Sequence, residues 1–333
     1  MFVSKFACAV MMVAFSVSSG LGAQAPVVPP PLASLTEEPL PPLVFSNNAL
    51  APVGDFPQAF ALGDVDGDGK VDLATTGGPY LMLGDGHGRM SLATGASAAA
   101  DAAKSTDAFA RVAADFDGDG RLDLAFATGT LLRILRSVGP TGFVVQQSFP
   151  LNVVSVALCS LDADGDGDVD MLLSSALAGP IPQPVYLLLN DGAGTFGLSS
   201  GAGLPLGVGT GVAAGDVDHD GDVDAVIAQN NQIVVALNAG GVFGSWIVVP
   251  FASGPRARLR AARLDGDLFD DVVVIGPNYA PVGLLGGAGG AMAIGPTFPF
   301  SHIRDVCAID LESDGQTELL FATDRGARLF RLS

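Results

Sequence analysis

Aspartates recur in this chain at a spacing that suits cation chemistry. Four segments read D-x-D-x-D-G-x-x-D, with carboxylates at positions 1, 3, 5 and 9. The first holds Asp64, Asp66, Asp68 and Asp72, with Lys70 at position 7. The second holds Asp115, Asp117, Asp119 and Asp123, with Arg121 at position 7. The third holds Asp162, Asp164, Asp166 and Asp170 with Asp168, and the fourth Asp216, Asp218, Asp220 and Asp224 with Asp222. Carboxylates crowded to about 4 Å repel by roughly 4 kcal/mol per pair at an effective dielectric near 20. Such a loop must hold a cation, take up protons or splay. Ca²⁺ accepts about 6–8 oxygen donors in a flexible shell, whereas Mg²⁺ demands a tighter octahedron. No loop offers the His/Cys set that favours zinc.

The expected donors are the four carboxylates and the position-7 backbone carbonyl. Gly69, Gly120, Gly167 and Gly221 at position 6 permit the sharp turn. About four structural Ca²⁺ ions are expected. An EF-hand would need Glu at position 12, where Thr75, Phe126, Leu173 and Ile227 stand. Two further copies are decayed. One starts at Arg263, whose guanidinium is expected to replace the ion's charge. The other offers Asp310, Glu312, Asp314, Gln316 and Glu318 as a weaker site. His219 falls at position 4 and is expected to face solvent.

The loops must be held by a repeated scaffold. Starts at 64, 115, 162, 216, 263 and 310 give intervals of 51, 47, 54, 47 and 47. The long interval has its extra residues in a proline-rich stretch, 178–185. An apolar strand precedes each loop and another follows it. A third strand, a Gly-rich turn and a fourth strand come next, as in 190–196, N-D-G-A-G-T-F. Four strands per repeat, A to D, with the acid loop between A and B, predict an all-β six-bladed propeller. A seventh blade has no unassigned sequence to occupy. Leu43 to Leu50 are expected to supply the missing strand D of the last blade and close the ring.

This pattern resembles the FG-GAP/VCBS repeat family, whose best-known member is the integrin α-subunit propeller. The resemblance covers about residues 43–333. It implies calcium in the A–B loops and an extracellular binding role. Relatives often have seven blades, so the count of six departs from the commonest form.

Residues 1–23 read as a secretory signal, with Lys5, an apolar core from Phe6 to Val17 and small residues before Ala23. That core is shorter than the roughly 20 residues of a membrane span. Residues 24–42 form a Pro-rich linker, and 43–333 the propeller. The expected location is secreted, or cell-surface or periplasmic, and the expected state monomeric. Net charge is −19, which repels a nucleic-acid partner. Cys159 and Cys307 each lie three residues before a loop start, in blades 3 and 6. Opposite blades are too far apart for a disulfide, which needs Cα atoms within about 7 Å. Two free, buried thiols are expected.

Tyr80, Tyr186 and Tyr279 all fall at the B–C connection, in alternate blades. They are either aromatic platforms for a sugar or peptide, or blade-interface packing, which is the more frequent fate of such residues. Arg111, Arg258, Arg260, Arg304 and His302 lie near the starts of strands A and suit either an anion at the channel mouth or salt bridges. No G-x-S-x-G, H-E-x-x-H or P-loop occurs. The function expected is a calcium-binding extracellular adhesion or binding module for a glycan or protein. The alternative is a polysaccharide lyase or glycosidase on the same scaffold.

Overall fold

Several runs in this chain are apolar without alternation, such as 170–175 (DMLLSS) and 271–275 (DVVVI). Such a run is stable as a strand only when both its faces are covered. A computed structural model shows that they are. It describes residues 36–37, 60–70, 72–75, 81–85, 90–93, 108–128, 131–140, 142–151, 155–175, 185–199, 202–205, 208–229, 231–254, 257–276, 280–299, 303–309, 318–323 and 326–331.

The described strands form six four-stranded antiparallel sheets. Sheet 1 contains Phe60–Gly63, Asp72–Thr75, Leu81–Gly84 and Met90–Leu92. Sheet 2 contains Ala108–Ala114, Asp123–Thr128, Leu131–Ser137 and Phe143–Pro150. Sheet 3 contains Ser155–Leu161, Asp170–Ser175, Val185–Asn190 and Phe196–Leu198. Sheet 4 contains Gly211–Gly215, Asp224–Gln229, Gln232–Leu237 and Ser245–Pro250. Sheet 5 contains Arg258–Ala262, Asp271–Ile275, Val282–Leu285 and Ala293–Thr297. Sheet 6 joins the two ends of the chain. Ile303–Ile309, Glu318–Thr323 and Gly326–Arg331 are its strands A to C, and Thr36–Glu37 pairs along the outer edge.

That edge strand corrects the expectation for ring closure. Thr36 pairs with Arg331 and Glu37 with Phe330, so the closing strand comes from inside the Pro-rich segment. Residues 43–50 lie outside the described residues. The pairing covers the Phe330–Arg331 end of an edge strand that would otherwise expose unpaired backbone groups there.

Neighbouring sheets pack face to face, with strands A of sheets 2 to 6 adjacent in chain order. Each central strand serves two interfaces by turns. Met171 and Leu173 enter the core shared with sheet 2, with Phe116, Leu132 and Phe196. Leu172 enters the core shared with sheet 4, with Ile227 and Phe243. Val272 and Val274 likewise face sheet 4, while Val273 and Ile275 face sheet 6. Each such side chain contributes about 1.5–3 kcal/mol on full burial. Aromatic contacts lock two interfaces. Phe116 meets Phe196 edge-on at 5.3 Å, and Phe298 lies 5.1 Å from Phe321 and 5.9 Å from Phe330. Outer strands instead alternate, as Phe143–Pro150 does, leaving a solvated face. No helix among the described residues is long and apolar enough to cross a membrane.

Candidate metal centres

In sheets 1 to 5 the acid loop joins strands A and B, and its position-9 aspartate is the first residue of strand B. Asp72, Asp123, Asp170, Asp224 and Asp271 are all buried, at 0–1% exposure. Each clamps two backbone donors. The Oδ2 atom of Asp170 accepts the Ala163 N–H at 2.9 Å, and its Oδ1 accepts the Asn190 N–H at 2.7 Å. Asp72 does the same with Val65 and Gly84, both at 2.9 Å. Asp224 does so with Val217 and Asn238, at 3.0 and 2.9 Å. The position-9 acid therefore ties its loop to the end of strand C.

Position 1 organises the loop from the other side. Asp64 accepts N–H groups from Gly67 (2.7 Å), Asp68 (3.1 Å) and Gly69 (2.7 Å). These bonds wrap the backbone round the carboxylate and require left-handed residues. Position 6 is one, as expected from its glycines. Position 4 is another, with φ from 70° to 81° at Gly67, Gly118, Gly165 and Gly266. His219 takes that place in the fourth loop at φ 59°, half exposed, and its ring meets Phe269 of the fifth loop.

The carboxylates that converge are those of positions 1, 3 and 9. Asp64, Asp66 and Asp72 each offer an oxygen within 4.8 Å of the others. Asp115, Asp117 and Asp123 do likewise, as do Asp162, Asp164 and Asp170, and Asp216, Asp218 and Asp224. Position 5 is not a member of these trios but lies beside position 3. Asp68, Asp119, Asp166 and Asp220 each accept the N–H of their own position 7 at 2.9 Å. Asp68 and Asp119 also pair with the side chains of Lys70 and Arg121. In loops 1 and 2 the position-7 cations are thus engaged with position 5, and the second trio also has Arg136 Nε 3.9 Å from Asp117 Oδ2.

The fifth loop departs from expectation. Arg263 does not stand in for a cation at the centre. Its Nε lies 3.2 Å from Asp270 Oδ1, and the side chain is half exposed. Asp265, Asp267 and Asp271 converge as a fifth trio. Five trios, rather than four, are present among the described residues. The triplet was visible in the sequence, and Arg263 at position 1 disguised it. In the sixth repeat Asp310, Glu312, Asp314 and Gln316 lie outside the described residues. Glu318 begins strand B, paired with Ile309 in the register that Asp170 has with Leu161.

Burial governs the electrostatics of the clamps. It pushes the carboxyl of Asp123 up to about 6 and that of Asp170 to about 6, against the lowering effect of the two N–H bonds. Asp224 and Asp271 rise to about 7 for the same reason. Neighbouring carboxylates add to the rise. Asp66, Asp164 and Asp218, at position 3, are also raised by burial and by the acid at position 5. Desolvation outweighs the hydrogen bonds, so ionising these groups without a counter-charge is unfavourable.

A hard cation fits this donor set. All donors are oxygens, three converge, and Asp218 Oδ1 is buried without a hydrogen-bond partner. That orphaned oxygen belongs to a member of the fourth trio, and a cation would give it the partner it lacks. The residues that would hold Ca²⁺ are the trios, and the ion would supply the charge their burial lacks.

Comparison with known proteins agrees. A family model described as an FG-GAP-like repeat matches at 64–126, 115–173 and 162–227. Residues 64–227 are FG-GAP-like repeats. Each FG-GAP-like match starts at an acid loop and ends within strand B of the next repeat. A search of curated proteins returns no match. Among solved structures, an Agrocybe aegerita lectin that recognises non-reducing terminal N-acetylglucosamine is similar, with TM-score 0.56 and 19% identity over 79% of this chain and 74% of the lectin. A structure described as BBS1N in complex with ARL6DN is similar at TM-score 0.53 and 15% identity, covering 85% of this chain and 80% of that one. These likenesses show the fold, a β-propeller.

The remaining candidates separate. Tyr186 is buried in the core between sheets 2 and 3, so packing is its role, and burial raises its phenol. Tyr80 and Tyr279 lie outside the described residues. Arg258 and Arg260 are exposed on strand A of sheet 5. His302 lies outside the described residues, and the side chains of Arg111 and Arg304 are likewise not described. Cys159 is free, and burial pushes its thiol up to about 12. An aromatic that the sequence reading passed over is Trp246. It is 51% exposed on the outer strand of sheet 4, and its indole N–H donates to Gly203 O at 2.9 Å and Phe243 O at 3.0 Å.

Proposed function

We propose that this chain is a secreted, calcium-stabilised propeller that binds a glycan. The observation that carries this reading is the recurrence of one acidic trio in successive A–B loops, each anchored by a buried aspartate. Their repetition suits a scaffold role, since the ions would pin loops rather than meet at one reacting centre. The charge of bound Ca²⁺ would make the module sensitive to extracellular calcium. The lectin of similar fold recognises a terminal sugar, which supports a glycan as the ligand. Trp246 suits a sugar ring, because its N–H is held by two carbonyls while half of the side chain meets solvent. A surface held rigid before binding loses little entropy on contact.

The test is a glycan array probed with the full-length protein, with Ca²⁺ and with a chelator. Calcium-dependent capture of a saccharide, lost in Trp246→Ala with an unchanged melting profile, is the expected result. Capture of no saccharide in the presence of Ca²⁺ would defeat the reading, and capture unaffected by Trp246→Ala would move the site elsewhere.

A further inference from the structure

The acid loops are not independent of one another. The position-2 residue of a loop is gripped on both sides of its peptide. Its N–H is held by its own position-9 aspartate, and its C=O by the following sheet. In loop 1 the Val65 C=O accepts the Ser137 hydroxyl at 2.5 Å, and the Ser137 N–H donates to Asp123 Oδ1 at 2.6 Å. Asp123 Oδ2 in turn accepts the Phe116 N–H of loop 2 at 3.1 Å. The Phe116 C=O accepts Asn190 Nδ2 at 2.8 Å, and the Asn190 N–H donates to Asp170 at 2.7 Å. Asp170 accepts the Ala163 N–H of loop 3 at 2.9 Å. The Ala163 C=O accepts Asn238 Nδ2 at 2.7 Å, and the Asn238 N–H donates to Asp224 at 2.9 Å.

Ser137 and Asn190 end strand C of sheets 2 and 3, and Asn238 directly follows strand C of sheet 4; each N–H donates to the position-9 aspartate of its own sheet. Such a donor stands at each junction between the four complete loops. Sheet 5 has Gly286 there, whose N–H reaches Asp271 at 2.8 Å and which has no side chain to offer Val217. The turns just beyond these residues make a second contact in the same direction. A Cβ at Gly194 would lie 3.5 Å from Asp117, and one at Gly241 would lie 3.0 Å from Asp164. Both aspartates are position 3 of the preceding loop.

We propose that Ser137, Asn190 and Asn238 are positioning residues that couple cation binding between adjacent acid loops, so that the four complete loops fill cooperatively. This rests on the reading of the loops as calcium sites. A cation in loop 3 fixes Asp170 and with it Asn190. The Asn190 amide then fixes the Phe116 peptide, which orders Asp123. Loop 2 has less freedom left to lose when its own cation arrives, which is positive coupling without a change of shape.

Calorimetric titration of the chelator-treated, full-length protein with CaCl₂ tests this. Asp162→Asn with Asp164→Asn disables loop 3 and keeps acceptors for its backbone. The other loops are then expected to weaken by about fivefold, at the low end of such couplings. In an Asn190→Ala, Asn238→Ala background the same lesion is expected to leave their affinity within about twofold. Asn190→Ser, which copies Ser137, is expected to restore the coupling to loop 2. A residue with a merely structural role would lower all affinities and leave the response to the lesion intact. That result, or a wild type whose other loops ignore the lesion, would overturn the proposal. If the alanine pair does not fold, Ser137→Ala cuts the junction of loops 1 and 2 alone, and a loop 1 lesion is read at loop 2. A wild type that takes up no calcium would overturn this proposal and the calcium reading together, whereas uncoupled uptake would overturn this proposal alone.

Discussion

Removing divalent cations should invert the usual acid response of this protein. The carboxyls of Asp123 and Asp170 rise from 3.8 to about 6 on folding, and those of Asp224 and Asp271 to about 7. Between those limits the folded chain holds protons that the unfolded chain has released. Stability then falls as pH rises, by the linkage between proton binding and folding. At 1.36 kcal/mol per pH unit, full ionisation costs about 3 kcal/mol at each of the first pair and about 4 at each of the second. Together this matches the roughly 5–15 kcal/mol that keeps a domain folded. Loop opening and water entry reduce the sum, so a net loss of at least about 3 kcal/mol is expected between pH 4.5 and 8. Asp68 and Asp191 are shifted down and oppose the trend, but both are exposed and contribute little. Urea unfolding in chelator at pH 4.5, 6 and 8 reads the effect. A midpoint that falls with pH in chelator, and flattens or rises with Ca²⁺, is the expected pattern. Apo stability that rises from pH 4.5 to 8 would refute the reasoning that burial dominates these groups.

Gly241→Ala should destabilise by about 1–2 kcal/mol, because φ is 86° there, and should weaken calcium binding in loop 3 although it lies in sheet 4; chemical unfolding with a calcium titration checks both. Gln147 pairs its amide with both the N–H and the C=O of Phe196, at 2.8 and 2.9 Å, so Gln147→Ala should cost about 1–3 kcal/mol at the junction of sheets 2 and 3. Hydrogen exchange would place that loss at the outer strand 196–198. Cys159 should resist thiol reagents at pH 8 in the folded protein and react after denaturation, since burial holds its thiol far above its ordinary value.

The repeat was readable because the acid loop is a local device. Its carboxylates and glycines act on the backbone within nine residues, so spacing alone revealed the loop and its flanking strands. The role of position 9 was half visible. Asp170 reads as a ligand in sequence, but its grip on Asn190, 20 residues away, depends on the B–C connection folding back. Lys70 and Arg121 were read only for their backbone carbonyls, and the pairing of their side chains with Asp68 and Asp119 shows once the loop is folded. Ser137 and Asn190 share no residue type, so their common task appears only once sheets are neighbours. Tyr186 stood open in the sequence between platform and packing, because only the sheet before it, which buries it, decides between the two. The closing strand escaped because Thr36 and Glu37 carry no strand signal of their own and are held by pairing with Arg331 and Phe330.

Calcium content and its effect on unfolding, measured on one chelator-treated sample, test the central claim most directly. The protein at pH 8 is dialysed against Ca²⁺ or Mg²⁺, its metal content measured, and its thermal transition recorded. At least four Ca²⁺ per chain, with a transition raised well above that in chelator and above that in Mg²⁺, is the expected result. A chain that retains no Ca²⁺ at millimolar concentration, and melts alike in all three conditions, would contradict the account.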